Sequence, residues 1–116
     1  MEQRLPQAEV ALVEEHKLTG YLLSASHPTG RAKAQFFNGF GFKLEAWEIL
    51  RDELLRHARE NCMTAGEVNA FGAKYLVDGP LLSPDGRNPR VRAIWFVEAG
   101  DTRPRLVTAY PLGNQT

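Results

Sequence analysis

Val91-Arg92-Ala93-Ile94-Trp95-Phe96-Val97 decides the architecture of this chain. A seven-residue run rich in β-branched and aromatic side chains is the strongest strand signal in the sequence. Val91, Ala93, Trp95 and Val97 alternate onto one face, and Arg90, Arg92, Ile94 and Phe96 onto the other. Both faces are apolar at the Trp95 end, which predicts a central strand buried on both sides. Upstream, Pro84-Asp85-Gly86 has turn chemistry. Before it, Phe71, Ala73, Tyr75 and Val77 alternate as a half-buried strand, with Gly79-Pro80 placed to break or bulge it. Downstream, residues 99–104 form a second turn region. The last strand is Leu106-Val107-Thr108-Ala109-Tyr110, ended by Pro111, with Leu106, Thr108 and Tyr110 on one face. Short connections favour antiparallel neighbours, so the expectation is a meander of three strands in a three- to four-stranded antiparallel sheet.

The N-terminal half has a different period. Residues 9–13 have the pattern of a short strand, and residues 15–23 form about two turns of helix, with Leu18, Tyr21 and Leu22 on one face. Residues 24–30 are a loop in which Pro28 biases His27 toward an extended backbone. A second helix starts at Thr29 or Gly30, with Ala34, Phe36 and Phe37 supplying apolar surface and Gly39 and Gly41 as stop signals. The clearest helix covers residues 44–60: Trp47, Leu50, Leu54 and Ala58 fall at helical spacing, and Ile49 and Leu55 widen the stripe. Asp52–Arg56 and Arg56–Glu60 stand four apart, and the Glu and Arg residues of this helix read as a solvated face. Helices first and a sheet second is the α+β pattern, with the helices packed on one sheet face.

Size and composition bound the function. The chain has 116 residues, 43% of them hydrophobic and 24% charged, which is one domain's worth spanning residues 1–116. Lys and Arg total 14 and Asp and Glu total 14, so nothing suggests a domain that holds nucleic acid by bulk charge. The single cysteine, Cys62, excludes an internal disulfide framework and a multi-cysteine zinc site, and reads as a small buried hydrophobe. No His-x-His or His-Glu-x-x-His spacing links His16, His27 and His57, so no metal is expected. Neither a Walker pattern nor Gly-x-Gly-x-x-Gly is present, and no cofactor is expected. No run is long and apolar enough to cross a bilayer, and no signal-peptide pattern opens the sequence, which points to the cytoplasm.

Three constellations can carry chemistry. His27 precedes a helix start, with Arg31 and Lys33 following; this is either a phosphate-handling corner or a histidine that hydrogen-bonds its own loop beside surface cations. Arg87, Arg90, Arg92, Arg103 and Arg105 form a set in which Arg92 lies close to the core. Arg92 needs either a carboxylate (Asp78, Asp85 or Glu98) or a phosphate oxygen. Thr108 and Tyr110 either serve sheet formation or line a shallow polar cleft beside the arginine-bearing strand.

Lys17-Leu18-Thr19-Gly20-Tyr21-Leu22-Leu23, then His27-Pro28-x-Gly30-x-x-Lys33-Ala34, resembles a bacterial family of small uncharacterised domains. Gly86-Arg87, Val91-Arg92, Trp95 and the stretch from Pro104 to Pro111 extend the resemblance over residues 17–111. Such domains occur alone and at the C-termini of polymorphic secreted toxins. The Thr108-Ala109-Tyr110-Pro111 ending is similar to that of ribonuclease toxin domains of barnase/colicin/RelE-like fold. The resemblance implies N-terminal helices on an antiparallel sheet and metal-independent RNA cleavage by 2′-hydroxyl attack. It implies His27 as general acid or base, Lys33 as a phosphate ligand, Arg92 stabilising the developing charge, and Thr108 hydrogen-bonding the phosphate. Tyr110, Arg87 and Arg105 would bind substrate. The implied partners are an RNA substrate and an immunity or antitoxin protein.

The alternative expectation is a non-catalytic interaction module of a toxin–antitoxin-like pair. It requires His27 to be buried and hydrogen-bonded, Arg92 to be paired with a carboxylate, and an apolar patch to be exposed. Phe36, Phe37, Phe40 and Phe42 can supply such a patch or the core.

Overall fold

A computed structural model describes residues 3–112. A 3-10 turn (Ala8–Val10) leads into helix α1 (Glu15–Lys17), which runs directly into a π-helical turn (Leu18–Leu22). Helix α2 (Arg31–Gly39), a 3-10 turn (Leu44–Ala46) and helix α3 (Trp47–Glu60) follow. The rest is sheet: β1 (Met63–Asn69), β2 (Gly72–Pro80), β3 (Arg90–Glu98) and β4 (Arg105–Pro111), ordered β1-β2-β3-β4 with every pairing antiparallel. The chain is therefore α+β, helices followed by a four-stranded antiparallel meander.

The helices cover one sheet face. Val77, Val91, Ala93, Trp95, Leu106 and Ala109 are buried beneath Leu18, Leu22, Phe37, Phe42, Leu50 and Leu54. Phe37 and Phe42 are core, while Phe36 and Phe40 pack against it half-buried. Helix α2 ends as its glycines suggest: Gly41 has φ 103°, its N–H donates to Asn38 O at 3.0 Å, and Phe42 N–H donates to Phe37 O at 3.0 Å. That pair of bonds caps the last carbonyls and turns the chain toward α3.

Several local expectations are corrected. β3 is central but covered on one face only; Arg92, Ile94 and Phe96 lie half-buried on the open face, because a single helical layer has no second layer opposite it. β1 was absent from the periodicity because Thr64 to Asn69 are all exposed, so no alternation marks them. Phe71 belongs to the β1–β2 turn and is 79% exposed. β2 continues unbroken through Gly79 to Pro80. A Cβ at position 79 would run into the Asn61 amide, so this glycine permits close packing rather than a bulge. Residues 9–13 form no strand; Leu12 alone makes a parallel bridge to Arg105.

The register shifts lie elsewhere, one between Met63 and Ala65 of β1 and one in β4. Ile94 pairs with Thr108 but Trp95 pairs with Leu106, leaving Val107 as the extra residue of β4. Leu106 therefore turns into the core, while Thr108 and Tyr110 stay on the open face, so the three do not share a face as alternation predicts.

On α3, Ile49 is exposed rather than part of the stripe. Arg56 bonds neither Asp52 nor Glu60; it grips both oxygens of Glu53 at 2.6–3.0 Å. Glu53 is nearly buried and also accepts the Leu82 N–H at 2.6 Å, tying α3 to the loop after β2. This carboxylate is structural and does not belong to a solvated face.

Candidate functional site

The π turn sets up the site. Leu23 N–H donates to Leu18 O at 2.8 Å, five residues back, where an α-helix would bond four back. His16 and Lys17 of α1 and Gly20 and Tyr21 of the π turn line one cleft of about 440 Å³, closed by His27 of the following loop and by Val107 and Thr108 of β4.

Tyr21 stands at the centre. Its hydroxyl lies 3.3 Å from Thr108 Oγ1, and its ring meets the His27 ring edge-on at 5.0 Å. Lys33 Nζ and Lys17 Nζ sit 5.5 and 5.9 Å from the ring centroid. Burial by itself would raise the phenol's pKa. Hydrogen bonding to Thr108 and Lys33, with the charges of Lys33 and Lys17, outweighs it and holds the phenol below its ordinary value. A Cβ at Gly30 would collide with the Tyr21 carbonyl and ring, so glycine there lets the loop close over Tyr21.

His27 is held by its loop. Its Nδ1 accepts the N–H groups of Gly30 at 2.9 Å and Thr29 at 3.1 Å, with the Thr29 hydroxyl 3.2 Å away. An Nδ1 that accepts amide protons carries none, so the neutral ring bears its proton on Nε2. His27 is half-buried, and its ring lines the cleft.

The structure gathers His27, Lys33 and Thr108 around Tyr21 and sends the other expected residues elsewhere. Arg92 lies one row along the open face from Thr108, but its guanidinium forks onto Asp78 with two bonds of 2.8 Å. Asp78, followed by Tyr110 on the opposite neighbour strand, holds the guanidinium above its ordinary value. Arg92 in turn holds the Asp78 carboxyl below the carboxylate range. Of the three carboxylates open to Arg92, Asp78 is the partner, and Tyr110 faces Arg92 rather than the cleft. Arg87 is bound to Asp85 at 2.6 Å and to Gly39 O at 2.6 Å, with its guanidinium 4.3 Å from the Phe40 ring centroid. Asp85 is held at about 2, first by the Arg87 backbone amide and then by the Ser83 hydroxyl. Arg105 stands 3.8 Å from Glu14. None of these arginines lines the cleft.

Lys17 and Tyr21 stood in the resembling stretch and His16 among the three histidines, but none of them was expected as a site residue. Lys17 and Tyr21 stand four apart, a spacing that places them on one helix face. Nothing in its spacing marked His16 as a site residue, beside a helix whose orientation the sequence left open. Among the described residues, no group of three or more His, Cys, Asp or Glu side chains is placed to hold a metal, and no helix is long and apolar enough to cross a membrane.

A small α+β domain with a cationic, hydroxyl-bearing cleft at its sheet edge is the class this geometry defines. The chain belongs to the DUF6883 family, a domain of unknown function, whose model matches residues 4–113. No curated protein matches the sequence. Among solved structures, the fold is similar to a chain of a contact-dependent growth inhibition toxin–immunity protein complex from Klebsiella pneumoniae 342. The TM-score is 0.70 at 14% identity, covering 88% of this chain and 100% of that one. At that identity the likeness establishes the fold.

Proposed function

We propose that this chain is a metal-independent endoribonuclease domain of bacterial toxin type, acting on RNA in the cytoplasm and paired with an immunity or antitoxin protein. The observation that carries the reading is the cleft: Lys17, Tyr21, His27 and Thr108 line it, Lys33 stands over the Tyr21 ring, and no carboxylate lies among the lining residues. Such a set of donors and cations suits a phosphodiester. The ribose 2′-oxygen attacks the adjacent phosphorus and the P–O5′ bond breaks, leaving a cyclic phosphate and a 5′-hydroxyl. His27 Nε2–H and the two ammonium groups donate to the non-bridging oxygens as charge builds there, and Thr108 orients the Tyr21 hydroxyl. The toxin–immunity complex of similar fold supports a toxin-type setting.

The test is cleavage of total RNA by the purified protein in EDTA. The expected result is degradation by the parent chain, falling by about 10²–10³-fold in His27→Ala, the usual cost of removing one donor to a developing oxyanion. Intact RNA with folded parent protein would overturn the reading.

Arg92 paired with Asp78 and His27 hydrogen-bonded by its own loop are what the interaction module requires, and an exposed apolar patch favours it further. Val68 and Phe71 are 76% and 79% exposed at the outer hairpin, beside the exposed β1. A chain that leaves RNA intact and loses partner binding in Phe71→Ser would be that module.

A further inference from the structure

Cleavage by 2′-hydroxyl attack needs one group to take a proton and another to give one. His27 is poorly placed for either task. Its Nδ1 is occupied by the Thr29 and Gly30 amides, and its Nε2 already carries the proton. Accepting a second proton would set Nδ1–H against two N–H groups. No carboxylate or thiol lines the cleft. The titratable side chains that remain are His16 and Lys17 from α1, Tyr21 from the π turn and, from α2, Lys33 over the Tyr21 ring. The lysines are donors that stabilise negative charge.

We propose that His16 and Tyr21 are the acid–base pair of this site, with His16 as general base and Tyr21 as general acid. The proposal rests on the ribonuclease reading above. Its structural basis is the shared cleft wall, which His16 of α1 and Tyr21 of the π turn both line. His16 takes the 2′-hydroxyl proton as the 2′-O–P bond forms. Tyr21 gives its proton to the 5′-oxygen as the P–O5′ bond breaks. The phenolate left on Tyr21 lies among Lys17, Lys33 and the Thr108 hydroxyl, and the proton held by His16 returns to it through solvent, so the cycle closes without a further reactant. The same neighbours that lower the phenol's pKa make it a better acid at neutral pH.

The experiment measures RNA cleavage in EDTA against pH for the parent chain, Tyr21→Phe and His16→Ala. Binding of a 2′-O-methyl RNA that cannot be cleaved is measured alongside. Tyr21→Phe keeps the ring that packs on Gly30 and loses only the hydroxyl. Each variant is expected to lose about 10²–10⁴-fold in cleavage, as for removal of an acid or base, while keeping its affinity for the inert RNA. The alkaline fall in rate disappears in Tyr21→Phe, and added imidazole restores His16→Ala; neither effect follows from a merely structural role. Should Tyr21→Phe not fold, 3-fluorotyrosine at position 21 is expected to move the alkaline fall to lower pH, and an unmoved fall overturns the proposal. Parent-like cleavage in either variant overturns it and leaves the ribonuclease reading standing. No cleavage by the folded parent chain overturns both.

Discussion

The Gly30 N–H donates to Nδ1 of His27 at 2.9 Å, so the imidazole holds the loop ahead of α2 with one nitrogen and leaves the other to the cleft it lines. The two roles separate by substitution. Asn at position 27 offers an oxygen at the place of Nδ1 and nothing at the place of Nε2. His27→Asn is expected to melt within about 0.5 kcal/mol of the parent and to lose cleavage. His27→Ala is expected to lose cleavage and about 1 kcal/mol of stability as well. Thermal melts beside an RNA cleavage assay decide it, and equal stability of the two variants would remove the loop-holding role.

Arg92 and Asp78 form a half-buried pair in the middle of the open face. Arg92→Leu strands the Asp78 carboxylate and is expected to cost about 1–3 kcal/mol, with little change in cleavage per folded molecule. Asp78 titrates below its unfolded value, so its contribution is present above the ordinary aspartate range and is lost as pH falls through the folded value. Urea unfolding at neutral and acid pH, with Asp78→Ala, Arg92→Leu and the double variant, reads the coupling; additive losses would mean the pair contributes nothing jointly.

Gly20 lines the cleft with open space where a side chain would stand. Gly20→Ala is expected to stabilise the chain by about 0.5–1 kcal/mol through the unfolded state. Gly20→Trp fills the cleft and abolishes cleavage while the melting temperature stays near the parent's. Full cleavage by a folded Gly20→Trp would place the chemistry somewhere else on the molecule.

His57 is fully buried in α3, with Nε2 3.2 Å from Gly79 O and Nδ1 without a hydrogen-bond partner among the described residues. Burial pushes its imidazole below the ordinary value, although the Gly79 carbonyl opposes this. The unfolded chain therefore takes up the proton first. Stability is complete above the ordinary histidine value of about 6.5 and falls as pH drops from there toward the folded value. A urea midpoint followed across that window is expected to fall in the parent and to flatten in His57→Gln; parallel curves would assign the slope to other groups.

Elements with a one-sided environment were legible in the sequence. The alternation of residues 91–97, the stripe of Leu50, Leu54 and Ala58, and the glycine stop of α2 each record a local period or a local backbone requirement. His27 and Thr108 were legible for a similar reason: polar residue types at a loop and on a strand attract attention wherever they fold. β1 was not, because an exposed edge strand has no buried face to impose a period.

What the sequence by itself determined is the α+β class and the succession of α2, α3, β2, β3 and β4, since those follow from interactions a few residues apart. Tertiary structure alone decided how they register. The extra residue Val107 reverses Leu106 against Thr108, the β2–β3 register sets Arg92 on Asp78, and the hydrogen bond between Tyr21 and Thr108 sets the α1–π segment against β4. Each depends on which hydrogen-bond partner the packed chain selects, and a shift of one residue sends a side chain to the opposite face.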